Sequence, residues 1–259
     1  GGYRNLRAGP DWVKPWLDLR LARLLADLAP EADILHAHNY EAPLAAYFAR
    51  SLHGTPVIYN NHNTMGEELH RYFQNPAIRS LARIAGRGMD WSIPRRADAC
   101  VAISEGAKPI LEGLGCRSVV HIPPGLNPAE LSGADRQRGR AELALDDRVW
   151  VVYAGNPDSY QDLEVLVDAV LQDEDLGLMM VSASPLTEWE ERAVALPAER
   201  KRFVQTASWE NTKDYIAAAD IAALPREVCS GYPIKLLNYL GLGLPPVCAE
   251  GSSRPLEGI

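Results

Sequence analysis

Residues 221–248, IAALPREVCSGYPIKLLNYLGLGLPPVC, contain the pattern that decides the fold. A short apolar segment at 221–224 is followed by a polar turn that contains glycine, and then by a helical segment at 233–240 that begins with a proline. A second short apolar segment follows at 246–248. Two short apolar strands joined by a helix are typical of a parallel sheet, because a parallel connection has to cross back over the face of the sheet.

The same alternation of strands and helices continues on the amino-terminal side of this stretch. Apolar segments predict further strands at 33–38, 56–59, 99–103, 119–122, 150–153, 178–181 and 202–205. Helical segments separate them, and the one that follows residue 186 has a capping box from Thr187 to Glu190. Residues 126–147 are highly charged and indicate a connector with one exposed helix. The sequence therefore predicts an α/β protein with two Rossmann-like, doubly wound parallel-sheet domains, at 1–128 and 129–259.

Composition excludes several classes of protein. The chain has 259 residues, and 47% of them are hydrophobic, which is typical of a folded protein. Its 26 basic and 34 acidic residues give a net charge of −8, which argues against a dedicated nucleic-acid-binding protein. No apolar run reaches the roughly 18 residues that a membrane span needs, so we expect a cytoplasmic protein. We expect the four cysteines, Cys100, Cys116, Cys229 and Cys248, to be buried thiols in a reducing compartment.

The turn before residue 233 has the features of an anion-binding site. The sequence places the backbone N–H groups of Gly231, Tyr232 and Ile234 at the start of a helix, where the helix dipole is positive. Lys235 adds a cation, and Asn238 lies on the next turn of the same helix, where its amide can hydrogen-bond to a ribose. The common phosphate-loop, zinc-peptidase and serine-hydrolase motifs are absent from the sequence.

Together with Gly155 and His62, this turn resembles the retaining family-4 glycosyltransferases of the GT-B fold. In that family a glutamate, seven further residues and a second glutamate surround the glycine-rich turn, and here Ser230 and Asn238 occupy the two acidic positions. The resemblance implies that Asn238 holds the ribose of the donor and that Ser230 contacts the transferred sugar.

A second segment resembles the part of the family that neutralises the diphosphate of the donor. The family has Gly-Arg and, about five residues later, Lys-Gly, whereas this chain has Gly155, Asn156 and Gln161. Both amides can hydrogen-bond to phosphate without bringing charge, so we expect weaker diphosphate binding unless Lys235 and Arg226 compensate. A polar turn before an amphipathic helix is the alternative interpretation. The donor-binding residues that the resemblance implies are Gly155, Asn156, Gln161, Ser230, Gly231, Tyr232, Pro233, Ile234, Lys235 and Asn238.

The third matching segment lies in the amino-terminal half. The resemblance implies that His62, which follows an apolar strand, is the catalytic residue that hydrogen-bonds to the donor sugar. Asn39 and Glu41 follow the preceding strand, and we expect them to contact the acceptor. The His36 and His38 pair lies on one face of that strand, but no third ligand is apparent, so we expect both to be structural and predict no metal site.

One face of the helix predicted near residues 76–91 is basic. Arg79, Arg83 and Arg87 recur at every fourth position along it. Many enzymes of the family dock on anionic membranes through this domain, so a peripheral contact with the inner face of the membrane is one interpretation. A solvated helix face is the other, because the sequence shows no broad apolar face that would insert into lipid.

The resemblance also implies the reaction. We expect a retaining glycosyltransferase of polysaccharide biosynthesis, which moves a sugar from a nucleoside-diphosphate donor to an acceptor hydroxyl without a metal or another cofactor. It further implies a chain that is truncated at both ends, with an incomplete N-terminal domain. Two alternatives stay open: a catalytically impaired nucleotide-sugar-binding protein, and another GT-B enzyme such as a sugar-nucleotide epimerase.

Overall fold

The computed structural model of the chain describes residues 13–229 and 231–253. Within these ranges the chain forms two compact units. The first contains residues up to 124 together with 231 and 232, and the second contains residues 125–229 and those from 233 onward. Each unit has its own sheet, and every strand pairing in both sheets is parallel. The predicted α/β fold with two parallel sheets is confirmed.

The sheet of the first unit has four strands, whose order in space is the same as their order along the chain. The strands are β1 Leu35–His38, β2 Val57–Asn61, β3 Ala99–Ala102 and β4 Val119–His121. The helices are α1 Lys14–Leu28, α2 Glu41–His53, α3 Met65–Glu68, α4 Pro76–Arg96 and α5 Ala107–Gly113, with 3₁₀ turns at Ala29–Glu31 and Leu69–Tyr72. The apolar core of this unit is built around fully buried residues of the central strands, among them Val57, Tyr59 and Cys100.

The sheet of the second unit has five strands in the order β7-β6-β5-β8-β9. These strands are β5 Val149–Ala154, β6 Leu176–Ser182, β7 Lys201–Gln205, β8 Ile221–Leu224 and β9 Pro246–Cys248. The helices are α6 Pro128–Leu131, α7 Arg136–Glu142, α8 Leu163–Gln172, α9 Thr187–Arg192, α10 Trp209–Ala218, α11 Ile234–Gly241 and α12 Glu250–Ser253, with 3₁₀ turns at Ser159–Gln161 and Ala198–Arg200.

Strands β5 and β6 are buried on both faces, which explains why they read as continuous apolar runs in the sequence. Trp150 and Val152 pack in one cluster with residues of α10 and α11, whereas Val151 and Tyr153 pack in a second cluster with residues of α8 and α9. Helices therefore cover both faces of this sheet, as the doubly wound pattern predicts.

Two local predictions were wrong. Helix α9 begins at Thr187 with Leu186 as its N-cap, and no side chain caps it, so the capping box does not form. Helix α4 also carries an exposed apolar side that the sequence analysis did not expect. Ile78, Leu81 and Ile84 are 46%, 68% and 67% exposed, and they lie three residues apart, so they share one side of the helix.

The expectation of four reduced thiols was wrong for one pair of cysteines. Cys100 in β3 and Cys116 in the segment that leads to β4 form a disulfide, and their Cα atoms are 6.7 Å apart. The two sulfurs meet because β3 and β4 are parallel neighbours, so the chain returns to the start of β3 before β4 begins. Cys229 and Cys248 keep reduced thiol groups.

In the part of the chain that the structure describes, no helix is long and apolar enough to cross a bilayer.

The disulfide predicts a specific thiol count. In denaturant without a reductant we expect two thiols, those of Cys229 and Cys248, to react with a colorimetric thiol reagent, and four after reduction. The bridged cysteines are 16 residues apart, so reduction should lower the free energy of unfolding by about 3 kcal/mol, measured by equilibrium unfolding. Cys116→Ala should behave like the reduced protein, whereas Cys229→Ala should not. Four reactive thiols before reduction would contradict the pairing.

Candidate functional site

The carboxyl ends of β1 and β2 bring two histidines into contact in the first unit. The strands pair with His38 opposite Asn60, so His62, which follows β2, lies beside the end of β1. His38 Nδ1 and His62 Nε2 are 3.0 Å apart and share a hydrogen bond in which one ring donates and the other accepts. The His36 ring lies next to that of His38, with 4.4 Å between the ring centroids. The hydrogen bond to His38 fixes the orientation of the His62 ring.

The electrostatics of this cluster keep His62 neutral. Burial lowers the pKa of His62, and the neighbouring His38 and His36 lower the pKa further. The imidazole is therefore uncharged at pH 7, and a neutral imidazole has one nitrogen that donates and one that accepts. Such a ring is suited to binding hydroxyl groups, which also both donate and accept.

Asp90 of α4 holds the loop that carries His62. Its carboxylate accepts hydrogen bonds from the backbone N–H groups of Met65 and Gly66, both at 2.8 Å, and thereby caps the start of α3. The Tyr40 hydroxyl donates to the same carboxylate at 2.9 Å and accepts from the Met65 N–H at 2.9 Å. One network of hydrogen bonds thus joins the end of β1, the loop after β2 and helix α4.

Glycine allows α3 and α4 to approach each other closely. A Cβ atom at Gly86 of α4 would lie 2.4 Å from the carbonyl oxygen of Met65, so a side chain does not fit there. A Cβ atom at Gly66 would lie 2.9 Å from Cγ of Arg87. The two helices are therefore in backbone contact at this crossing.

The two residues expected to contact the acceptor lie at the end of β1. Asn39 is exposed and has a positive φ of 60°, a conformation that asparagine adopts more readily than most residues. Glu41 is the first residue of α2 and forms an ion pair with Lys14, whose Nζ lies 3.4 Å from Oε1. The carboxylate of Glu41 therefore already has a partner.

In the second unit, the end of β5 and the first turn of α11 form a polar cluster. Gly155 follows β5 with a φ of 148°, and a Cβ atom there would lie 2.0 Å from Cε of Lys235. The missing side chain leaves the space that the Lys235 stem occupies. Lys235 Nζ lies 3.4 Å from Asn156 Oδ1 and 5.1 Å from the centroid of the Tyr153 ring.

The two amides of the cluster are bonded to each other. Gln161 is only 3% exposed, and its Nε2 donates to Asn156 Oδ1 at 3.2 Å. Asn156 Nδ2 donates to the Tyr160 hydroxyl at 2.7 Å and also to Asp158. Asn156, Gln161 and Lys235, which the sequence analysis selected from two separate segments, therefore meet at one place.

Lys235 has an unusual pKa for a lysine. Burial lowers the pKa to about 8, and Arg226 lowers it as well, whereas Cys229 and Asp158 act in the opposite direction. The ammonium group is thus mostly charged at pH 7 but loses its proton under mildly alkaline conditions. No carboxylate of residues 13–229 and 231–253 forms an ion pair with Lys235. A cation held in this way at the start of a helix favours an anionic ligand.

The turn that precedes α11 is described only in part. Ser230 lies outside the described residues. Gly231 and Tyr232 group with the first unit, whereas Pro233, the N-cap of α11, and the helix itself belong to the second. The residues predicted to cradle the anion therefore do not all lie in one unit. Ile234 is exposed at the start of α11, and Asn238 is half-buried on its next turn.

Three residues that shape these clusters were not predicted from the sequence. His38 was expected to be structural, but it pairs with His62. Asp90 lies 28 residues after His62 in the middle of a helix, so no local pattern indicates its role. Tyr239 is fully buried, and its hydroxyl accepts from the Ala154 N–H at 2.9 Å, which holds α11 against the end of β5. Only for His38 is there a sequence signal, since a histidine ends β1 and another, His62, directly follows β2.

No group of three or more His, Cys, Asp or Glu side chains with the geometry to hold a metal occurs among residues 13–229 and 231–253. The prediction that the protein needs no metal or cofactor stays a prediction.

Comparison with known proteins gives one family match. Residues 2–130 match the model of Glycosyltransferase Family 4. No curated protein matches the sequence significantly.

Solved structures share the fold at low sequence identity. Sucrose-phosphate synthase from Thermosynechococcus elongatus is 18% identical, with a TM-score of 0.78 and coverage of 98% of this chain and 67% of that one. Anabaena HepE in complex with UDP is also 18% identical, with a TM-score of 0.69 and coverage of 92% and 65%. The trehalose 6-phosphate synthase from Burkholderia multivorans is 14% identical, with a TM-score of 0.69 and coverage of 95% and 62%. The chain thus spans about two thirds of the length of these proteins.

The contact between His38 and His62 predicts a measurable titration. We expect the His62 ring to titrate below the usual histidine range, because burial and two neighbouring imidazoles disfavour its proton. His38→Asn should move the pKa of His62 upward, since it removes one of the neighbouring rings. NMR titration of the histidine ring signals measures this shift.

His53→Asn is the matched control, because His53 is exposed at the end of α2 and is not one of the groups that shift His62. A His62 titration that is unchanged by His38→Asn would show that the two rings are not coupled.

Proposed function

Because residues 2–130 belong to Glycosyltransferase Family 4 and the chain has the GT-B fold, we propose that it is a retaining glycosyltransferase that uses a nucleoside-diphosphate sugar. In this proposal the second unit binds the donor and the first unit receives the acceptor. The observation that carries the proposal is the cluster of Lys235, Asn156 and Gln161 between the end of β5 and the start of α11. Ligands of doubly wound sheets bind at such an edge.

The cluster supports binding of a diphosphate. Lys235 supplies one cation, and the first backbone N–H groups of α11 add the positive end of a helix dipole. The amides of Asn156 and Gln161 add neutral donors. Arg226 brings a second cation to the neighbourhood, because its guanidinium lies over the Tyr160 ring at 4.9 Å. HepE, which shares the fold, has been crystallised with UDP and with UDP-glucose, and this supports a nucleotide ligand for the present chain.

The remaining predicted residues have separate roles in the proposal. Asn238 and Ser230 bind the ribose and the transferred sugar, and His62 hydrogen-bonds to the hydroxyls of that sugar. Asn39 stays a candidate for acceptor contact. The support for Glu41 as an acceptor contact is weaker, because its carboxylate already forms an ion pair with Lys14.

The proposed reaction needs no protein nucleophile. The bond between the anomeric carbon and the diphosphate oxygen breaks, and the acceptor oxygen bonds to the same face of that carbon. The acceptor's proton passes to the leaving diphosphate oxygen. The helix terminus and Lys235 stabilise the negative charge that develops on the diphosphate. Water has to be excluded, because it would otherwise accept the sugar in place of the acceptor.

Localisation and pathway are also part of the proposal. We keep the prediction of a cytoplasmic enzyme of polysaccharide biosynthesis, and of the two interpretations of α4 we propose the contact with the inner face of the membrane. The exposed side chains of Ile78, Leu81 and Ile84 support such a contact, because they form an apolar side of α4 that is open to solvent.

A second candidate function is nucleotide-sugar binding without transfer. It is favoured by the mutual hydrogen bond of Asn156 and Gln161, which stand at positions where the family has charged residues. Both amides are neutral, and each uses part of its hydrogen-bonding capacity on the other. The diphosphate would therefore be neutralised less than by the charged residues of the family pattern.

Nucleotide affinity should depend on the charge of Lys235. We expect UDP, GDP or ADP to bind most tightly below pH 8 and more weakly as the pH rises above about 8, because the bound diphosphate favours the protonated amine. Lys235→Gln should weaken binding at pH 7 at least about tenfold and remove most of this decline. Calorimetric titrations measure these affinities. The same titrations on the Lys235→Gln variant show how much of the pH dependence comes from ionisation of the nucleotide base.

Lys108→Gln, at an exposed position of α5, is the matched control and should leave nucleotide affinity unchanged. Equal affinity of the Lys235→Gln variant and the unmodified protein would exclude Lys235 from the donor site.

Turnover separates transfer from mere binding. We expect slow release of UDP from UDP-glucose in the absence of an acceptor, faster release when acceptor is present, and a product that keeps the anomeric configuration of the donor, as read from its NMR coupling constant. Lys235→Gln should slow release, because the leaving diphosphate loses its cation. Tight nucleotide binding with no release under either condition would support the second candidate.

A further inference from the structure

Two imidazole nitrogens in the first unit lie at the separation of ligands that share one metal ion. His38 Nδ1 and His62 Nε2 are 3.0 Å apart, and the register of β1 and β2 places the ends of the two strands side by side. Two nitrogens bound to one ion at about 2.1 Å lie about 3.0 Å apart at an angle of about 90°, and about 3.4 Å apart at the tetrahedral angle. The pair therefore fits neighbouring positions of a square-planar or octahedral ion better than those of a tetrahedral one.

The backbone on both sides of His62 is held in place. Asn61 is 5% exposed, and its Nδ2 donates to the Tyr59 hydroxyl and to the Asn63 carbonyl oxygen, both at 3.0 Å. Farther along the same loop, the Asp90 carboxylate accepts from two backbone N–H groups. A ligand that is positioned before the ion arrives loses little conformational entropy when it binds.

The proton between the two rings does not prevent an ion from binding. In the hydrogen-bonded pair, one ring carries a proton on the nitrogen that faces the other ring. When an ion binds both facing nitrogens, this proton moves to the other nitrogen of the same ring, His38 Nε2 or His62 Nδ1, so no proton is released. Within residues 13–229 and 231–253, neither of these nitrogens is held by a hydrogen bond that would oppose the move.

The three described histidines outside this cluster are placed differently. His70 is 7% exposed, and its nitrogens are bonded to Arg83 Nη2 at 3.1 Å and to the Gly66 carbonyl oxygen at 3.2 Å. His121 Nε2 is buried, and His53 is exposed at the end of α2. His53 is therefore the reference for an ion that binds a single exposed ring.

We propose that a divalent transition-metal ion, Ni²⁺ or Cu²⁺, binds between His38 and His62 and inhibits the enzyme. Imidazole ligands in square-planar or tetragonal geometry are typical of these two ions. No third His, Cys, Asp or Glu side chain of residues 13–229 and 231–253 converges with the pair, so water fills the remaining positions and binding is reversible. The inference rests on the proposed function, in which His62 hydrogen-bonds to the transferred sugar. The ion is an inhibitor and not a cofactor, because it occupies a nitrogen of that ring.

His36 distinguishes the proposed pair from a surface that is merely rich in histidine. It lies two residues before His38 on the same face of β1, and the two ring centroids are 4.4 Å apart. A surface that binds ions through any neighbouring imidazoles would use His36 and His38, whereas the proposed site uses His38 and His62. Replacement of His36 and of His62 therefore separates the two cases.

Calorimetric titration of the full, tag-free chain with Ni²⁺ tests the site. Ni²⁺ is the probe because the reduced thiols of the chain would reduce Cu²⁺. His38→Asn and His62→Asn should each weaken Ni²⁺ binding at least about tenfold, since loss of an outer-shell partner alone costs that much. His36→Asn and the matched control His53→Asn should stay within about threefold of the unmodified protein, because neither removes a ligand. Absence of Ni²⁺ binding, or binding that survives His62→Asn, would overturn the proposal.

Two further ions test the geometry of the pair. Zn²⁺ should bind more weakly than Ni²⁺, because tetrahedral coordination needs the two nitrogens about 3.4 Å apart. Mg²⁺ should not bind at the same concentration, because it takes oxygen ligands. Zn²⁺ binding that is tighter than Ni²⁺ binding would contradict the proposed geometry.

NMR of the unmodified protein locates the ion without any substitution, so the result does not depend on whether a variant folds. Octahedral Ni²⁺ is paramagnetic, and we expect it to broaden the ring signals of His38 and His62 first. The His53 signal should stay sharp. Broadening of the His53 signal with sharp signals from the pair would place the ion elsewhere and overturn the proposal.

Ion binding and turnover are measured separately, so this inference and the proposed function can fail independently. Calorimetry decides the metal site even if the chain releases no UDP from UDP-glucose. If the chain does release UDP, Ni²⁺ should slow the release in proportion to the sites occupied, and EDTA should restore it. An unchanged rate at saturating Ni²⁺ would overturn the inhibition, whereas absence of UDP release without any ion would overturn the proposed function alone.

Discussion

Parallel backbone pairing is the constraint on which both units depend. Because every strand runs in the same direction as its neighbour, each connection has to return over a face of the sheet. Helices bury β5, β6 and β8 of the second unit on both sides. The same constraint collects all carboxyl ends at one edge of each sheet. His38 meets His62 at one such edge, and Lys235 meets Asn156 at the other. Both clusters are consequences of strand direction.

Much of this fold was predictable, because short apolar segments separated by glycine and proline identify strands of a parallel sheet. All strands of the structure coincide with predicted segments. Errors arose where the outcome depends on tertiary structure. The link between Cys100 and Cys116 needs two segments that only the β3–β4 pairing brings together. The capping box failed because Thr187 is the first residue of α9 and does not precede it.

The candidate sites were predictable where a residue type is unusual for its position. Gly155 and Lys235 were selected separately, and the structure shows why both are needed, since the lysine stem fills the space beside the glycine. Asp90 and His70 were not found, because a mid-helix carboxylate and a histidine in a polar segment carry no local signal. The role of Asp90 follows from hydrogen bonds to the distant backbone groups of Met65 and Gly66, and that of His70 from its contact with the Arg83 side chain.

The crossing at Gly86 has a mechanical consequence. With no side chain between them, α3 and α4 touch through their backbones, and the Asp90 carboxylate bonds to the first residues of α3. One end of α3 is joined to the loop of His62 and the other continues into the turn that carries His70. The loop of His62 and the turn that carries His70 are therefore both anchored to α4 through the same four-residue helix, so a side chain at Gly86 would displace both of them together.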